Sequence, residues 1–154
     1  MDNQTLIRNV KIYDGTGGRP FYGDVLMGSG LIQKIGRFLN EDRCSVVDGT
    51  GKILTPGFIN CHSHSELQPF LDPRMLQVIG QGITTEVVGQ DGLSVAPIDD
   101  AHAAELTENM ICLCGKGERD FWWRSHKDYM RLVEDADPAC RFVGLLGSGT
   151  IRMN

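Results

Sequence analysis

Pro56-Gly57-Phe58-Ile59-Asn60-Cys61-His62-Ser63-His64 and Gln81-Gly82-Ile83-Thr84-Thr85-Glu86-Val87-Val88 bound the stretch on which the fold turns. Phe58 to Cys61 is a short apolar run behind a Pro-Gly breaker. From Ile83 to Val88 every residue except Glu86 is β-branched, which is a strand signature. Between them, Asp72-Pro73 offers a helix N-cap next to proline at the first helical position. Met75, Leu76 and Ile79 then share one face, and Gly82 stands where a helix-ending glycine belongs. Residues 57 to 88 thus read as strand-helix-strand, with parallel strands joined by a right-handed crossover.

Downstream the grammar repeats. Asp99 or Asp100 can cap a helix carrying Ala103, Leu106, Met110 and Leu113. Gly115 to Asp120 is a polar loop, and Ser125 with Asp128 forms a capping box for a helix running through Val133. Asp137-Pro138 ends it, and Phe142 to Leu146 reads as a third parallel strand. Upstream, Thr5 to Tyr13, Gly23 to Met27, Leu31 to Ile35 and Cys44 to Val47 are strand-like, punctuated by Asp14-Gly15-Thr16-Gly17 and Asp48-Gly49-Thr50-Gly51. The short spacing predicts an antiparallel, hairpin-linked module. Neither Asp-Gly-Thr-Gly run opens a helix with the spacing of a phosphate-cradling loop, so both are turns.

Alternating strands and helices give an α/β class. A closed (β/α) barrel takes roughly 250 residues, whereas about three strands' worth follow residue 53. Three parallel strands with an open edge leave backbone groups unpaired, so the chain is expected to be an incomplete barrel. The expected division is 1–54 and 55–154.

Composition narrows the function. Fifteen basic against 20 acidic residues give a net charge of −5, without a Lys/Arg cluster, and this excludes the electrostatic footprint of a nucleic-acid binder. No apolar run is long enough to span a bilayer, and Met1 to Lys11 lacks a signal-peptide pattern. A cytoplasmic location without membrane association is therefore expected. The five cysteines form no C-x-x-C pair and read as small apolar groups.

Chemistry concentrates at His62-Ser63-His64. Side chains alternate along a strand, so the two imidazoles project from one face. Nitrogen donors at the carboxyl end of a parallel strand suit a divalent metal, zinc above all. Asp91, in Gly89-Gln90-Asp91-Gly92 directly after the second strand, offers an oxygen donor from the neighbouring strand's end; its bland alternative is a turn aspartate. His102 and His126 fall in or at the start of helices and read as local or solvated groups. Glu86, in mid-strand, reads as a structural partner. Trp122 and Trp123 are read as helix-packing aromatics, with a pocket floor as the alternative.

These residues resemble a family. Asn9 to Gly18, Gly23-Asp24-Val25, Ile32 to Gly36 and Leu54 to Ile59 leading into His62-x-His64 look like the amidohydrolase superfamily. Gln81 to Thr85, Gly89 to Pro97 and Gly147 to Arg152 are similar to its D-aminoacylase branch, the N-acyl-D-amino-acid deacylases. The resemblance implies part of a small N-terminal β-sandwich followed by the first three strands of a metal-dependent (β/α)8 barrel. It implies Zn²⁺ or another divalent metal held by His62, His64 and Asp91, the last standing where the best-known deacylases carry a cysteine. Asn60 and Glu66 stand where the superfamily often has aspartates. Ser148 stands where many relatives have a histidine, so it receives no role. The implied reaction is hydrolysis of a small N-acyl amino acid, with the general base beyond the C-terminus and the isolated chain inactive. A dihydroorotase-like cyclic-amide hydrolase and a non-catalytic assembly module remain alternatives, and homo-oligomer formation is open.

Overall fold

The computed structural model describes residues 4–40, 42–115 and 123–154. The chain divides into two compact units, Met1–Pro56 and Gly57–Asn154.

The first unit is a β-sheet. Strands β1 (Thr5–Ile12), β2 (Phe21–Gly28) and β3 (Leu31–Gly36) form an antiparallel meander. Strand β4 (Ser45–Asp48) and the short β5 (Ile53–Leu54) both pair with β1, giving the order β3-β2-β1-β4 with β5 also on β1. These last two pairings are parallel, which corrects the expectation of an all-antiparallel module. The cause is the connection after Gly36, which carries the chain back so that β4 runs in the same direction as β1. Asp24 holds that return: its buried carboxylate accepts the Leu39 N–H and the Asn9 N–H, both at 2.9 Å. Asn9 has φ 58° and lies where the β1–β2 register shifts, so one side chain satisfies both a bulge and a loop. Val10, Ile12 and Val25 form the buried core, with Ile7, Met27 and Leu54 packed against them. Both Asp-Gly-Thr-Gly stretches are turns. Asp14 accepts from the backbone and hydroxyl of Thr16, and Asp48 from those of Thr50.

The second unit is mixed α/β. Strands β6 (Phe58–Asn60), β7 (Ile83–Val88) and β8 (Arg141–Gly144) pair in parallel in that order. The crossover between β6 and β7 is more broken than expected. It holds α1 (Gln68–Leu71) and α2 (Leu76–Ile79) rather than one helix from Asp72. Asp72 spends its carboxylate on the backbone and guanidinium of Arg74. Met75, fully buried, takes a left-handed φ of 48°, so helical geometry begins only after it. Burial of one long side chain outweighs the local capping signal here.

Helix α3 (Ala103–Cys114) buries Leu106, Met110 and Cys114 at four-residue spacing, and this stripe leaves Leu113 exposed. The N-cap is His102, without a side-chain capping bond, so neither Asp99 nor Asp100 caps α3 as expected; Asp99 instead accepts the His102 N–H at 2.8 Å in the turn before the helix. Helix α4 (His126–Asp135) carries the capping bond, Asp128 N–H to Ser125 Oγ at 3.1 Å, and buries Tyr129 and Val133. The core between these helices includes Leu67, Val95, Ile98 and Trp123. Residues 148–153 form α5 (Ser148–Met153), a helix that the glycine-rich sequence does not announce. Thr150, fully buried, exchanges hydrogen bonds with both backbone groups of Ser94, and Gly92 O accepts from Gly149 N–H. Among the described residues no helix is long and apolar enough to cross a membrane. Trp122 and most of the loop expected at 115–120 lie outside the described residues.

Candidate metal centre

β6 ends at Asn60, so His62 and His64 lie just past the strand rather than on it. The ladder stops because the Cys61 carbonyl is taken by a side chain: Gln90 Nε2 donates to it at 2.7 Å. Pairing resumes for one residue, with Ser63 N–H donating to Val87 O at 3.1 Å. The two imidazoles nonetheless emerge on one side. Their ring centroids are 5.6 Å apart, with planes at 74°.

Asp91 sits three residues past Val88, at the carboxyl end of β7, with φ 57°. Aspartate tolerates this left-handed backbone better than most residues, and it turns the carboxylate toward the histidines. His62 Nε2 lies 3.1 Å and His64 Nε2 3.0 Å from the same oxygen, Asp91 Oδ2. The hydrogen bond from His64, and next that from His62, hold the Asp91 carboxyl below its ordinary range. His62 and Asp91 are more than half exposed, whereas the His64 side chain is 19% exposed. The cluster therefore opens to solvent on the His62 side and is closed behind His64.

All three residues singled out from the sequence meet. One donor atom from each lies within 4.8 Å of the others, two imidazole nitrogens and a carboxylate oxygen. That donor set suits a borderline divalent cation such as zinc. Beneath it, buried Glu86 accepts from Asn60 Nδ2 at 3.1 Å and Ser65 Oγ at 2.7 Å, tying the two strands together.

The remaining residues considered from sequence stand apart from this cluster. His102 pairs with Asp99 at the start of α3. His126 packs edge-on to Tyr129, its Nε2 buried without a hydrogen-bond partner, and burial lowers its pKa. Trp123 is buried and donates Nε1–H to Val95 O at 2.7 Å, a packing role. Sequence reasoning gave Glu66 no part in the site, yet its carboxylate is 1% exposed with Oε1 3.9 Å from His64 Nδ1. The continued two-residue spacing His62, His64, Glu66 was the available signal.

No family model matches the chain. Over 96% of its length it superposes on D-aminoacylase, a structure said to define a subset of amidohydrolases, with TM-score 0.81 and 28% identity. The class of that structural match is amidohydrolase. More narrowly, its similar proteins and structural neighbours include N-acyl-D-amino-acid deacylases. The N-acyl-D-aspartate deacylase of Alcaligenes xylosoxydans xylosoxydans is 31% identical over 148 residues, 96% of this chain and 29% of the relative. The N-acyl-D-glutamate deacylase of Bordetella bronchiseptica, complexed with zinc and a phosphonate mimic of the tetrahedral intermediate, matches with TM-score 0.79 and 29% identity, covering 96% of this chain and 30% of that one. The chain thus spans about 30% of the length of the relatives it matches.

Proposed function

We propose that this protein takes part in metal-dependent hydrolysis of the amide bond of an N-acyl-D-amino acid, and that His62, His64 and Asp91 hold the divalent cation. The observation that carries the reading is the convergence of both Nε2 atoms on one Asp91 oxygen. The zinc and phosphonate in the Bordetella relative support zinc as the cation and a tetrahedral acyl intermediate as the species to be stabilised.

Held there, a divalent cation supplies Lewis acidity toward an acyl carbonyl and lowers the pKa of a water toward ~7. The chain's own residues prepare the place. His62 and His64 each present an Nε2 lone pair in one tautomer, and Asp91 brings negative charge. Gln90 and Ser63 fix the two strand ends against each other, so the donors are set before a ligand arrives. The exposed flank at His62 leaves room for an acyl group to approach. We place the general base outside these 154 residues. On the same reading, residues 55–154 are the first three strands of a (β/α)8 barrel and residues 1–54 part of a β-sandwich.

Zinc titration of the purified chain tests the site. One site is expected, lost when His62→Ala and His64→Ala are combined; unchanged stoichiometry in that variant ends the proposal. The chain by itself is expected to release no acyl group from an N-acyl-D-amino acid. Turnover would overturn the placement of the base.

A further inference from the structure

The geometry points to Glu66 as a positioning residue for His64: its carboxylate fixes the imidazole's tautomer and orientation from behind. The inference rests on the cation-binding reading above and deepens it.

Glu66 is 1% exposed. A carboxylate so buried is costly unless its neighbours compensate, and those it has do so only in part. Oε1 accepts the Gly89 N–H at 3.0 Å, and Oε2 accepts the Cys114 S–H at 3.0 Å, a weak donor. The Tyr129 hydroxyl bonds only the residue's backbone carbonyl, at 3.0 Å. Two carboxylate oxygens accept about four bonds, so acceptor capacity remains, and Oε1 stands 3.9 Å from His64 Nδ1. That nitrogen is itself buried and has no hydrogen-bond partner.

The partnerless His64 Nδ1 and the spare acceptor capacity of Glu66 match each other. An imidazole that offers its Nε2 lone pair to a cation carries its proton on Nδ1. On His64 that proton faces Glu66, about 1 Å beyond hydrogen-bonding distance. Oriented carboxylate-histidine pairs of this kind raise the basicity of the coordinating nitrogen and hold the ring in place. His62 is open to solvent, so water can serve its Nδ1; His64 must find a partner inside the protein. Glu66 also reaches the other half of the site, because Gly89, whose N–H it accepts, lies two residues before Asp91.

A purely structural Glu66 would need only an acceptor for Gly89 N–H, which glutamine also supplies at the same volume. Glu66→Gln therefore separates the two roles. In the intact chain this variant is expected to keep the wild-type circular dichroism and melting profile, while Zn²⁺ affinity, measured by competition with a chromophoric chelator, falls about 10–100-fold. In the zinc-loaded wild type, long-range ¹H–¹⁵N spectra should show His64 as the Nδ1–H tautomer, with that proton slow to exchange. Wild-type affinity in a folded Glu66→Gln chain overturns the proposal. If that variant fails to fold, the wild-type spectrum decides: an Nδ1 proton on His64 that exchanges as fast as that on His62 overturns it, and a protected one supports it. Loss of zinc in His64→Ala with none in Glu66→Gln defeats the positioning role alone. Zinc binding indifferent to both His62→Ala and His64→Ala defeats the metal reading beneath it.

Discussion

Gly89→Ala is expected to destabilise the second unit severely. Gly89 has φ 85°, and a Cβ built there would lie 2.3 Å from the backbone oxygen of Leu145. The left-handed backbone costs an L-residue about 1–2 kcal/mol. The clash cannot be relieved by a side-chain rotation, because the obstacle is main chain just past β8. Relief requires the ends of β7 and β8 to part. That forfeits the bond from Leu145 N–H to Val88 O, 2.9 Å long, about 1 kcal/mol. It also strains the bond from Gly89 N–H to the buried Glu66 carboxylate, of the charged type that contributes about 1.5–3 kcal/mol. Together these give a loss of about 3–5 kcal/mol. Urea denaturation followed by tryptophan fluorescence measures it cleanly, since both tryptophans, Trp122 and Trp123, belong to the second unit. Gly82→Ala is the control. Gly82 has a similar φ of 80°, but its added Cβ meets only the Phe58 ring at 3.3 Å, so about 1–2 kcal/mol is expected from the backbone alone. A loss at Gly89 no larger than at Gly82 would refute the clash argument.

Removing the cap in Ser125→Ala should cost about 1 kcal/mol in the same titration, because the Asp128 N–H loses its acceptor; no change would mean that α4 is held by packing alone. Thiol modification should separate the cysteines. Exposed Cys61 and Cys112 should label in the native chain, while Cys114 and Cys140, buried and with their pKa values raised chiefly by burial, should label only in denaturant. Peptide mapping of the labelled chain checks this, and native labelling of Cys114 contradicts it. The first unit should weaken in acid. The Thr50 hydroxyl and backbone depress the Asp48 pKa, and the Thr16 backbone and hydroxyl that of Asp14. A depressed carboxyl stabilises the fold above its unfolded pKa of about 3.9 and loses that contribution as pH falls through the folded value. Asp48→Asn should flatten the decline below about pH 4 in circular dichroism melts, and an unaltered acid limb would show that this turn does not contribute.

Sequence signals were readable where one segment carried its own cause. The β-branched run became β7, the Ser125–Asp128 capping box opened α4, and both Asp-Gly-Thr-Gly stretches closed as side-chain-bonded turns. The same locality explains why His62, His64 and Asp91 could be singled out, since each follows a recognisable strand within a few residues. Where distant parts compete, local reading failed. Asp72 looked like a helix cap, but burial of Met75 delayed the helix to Leu76. Thr150 begins no visible helical pattern, yet its hydroxyl is held by Ser94, 56 residues away in sequence.

By itself, then, the order of residues determined that strands alternate with helices after residue 57 and that three donor side chains lie near strand ends, because propensity, capping and alternation act over a few neighbours. Tertiary structure alone decided that β4 and β5 run parallel to β1, that Asp91 turns onto both imidazoles, and that Glu66 is sealed behind His64. Those outcomes depend on which segments exclude water together, and this cooperation over long sequence separations has no signature in any one stretch of the chain.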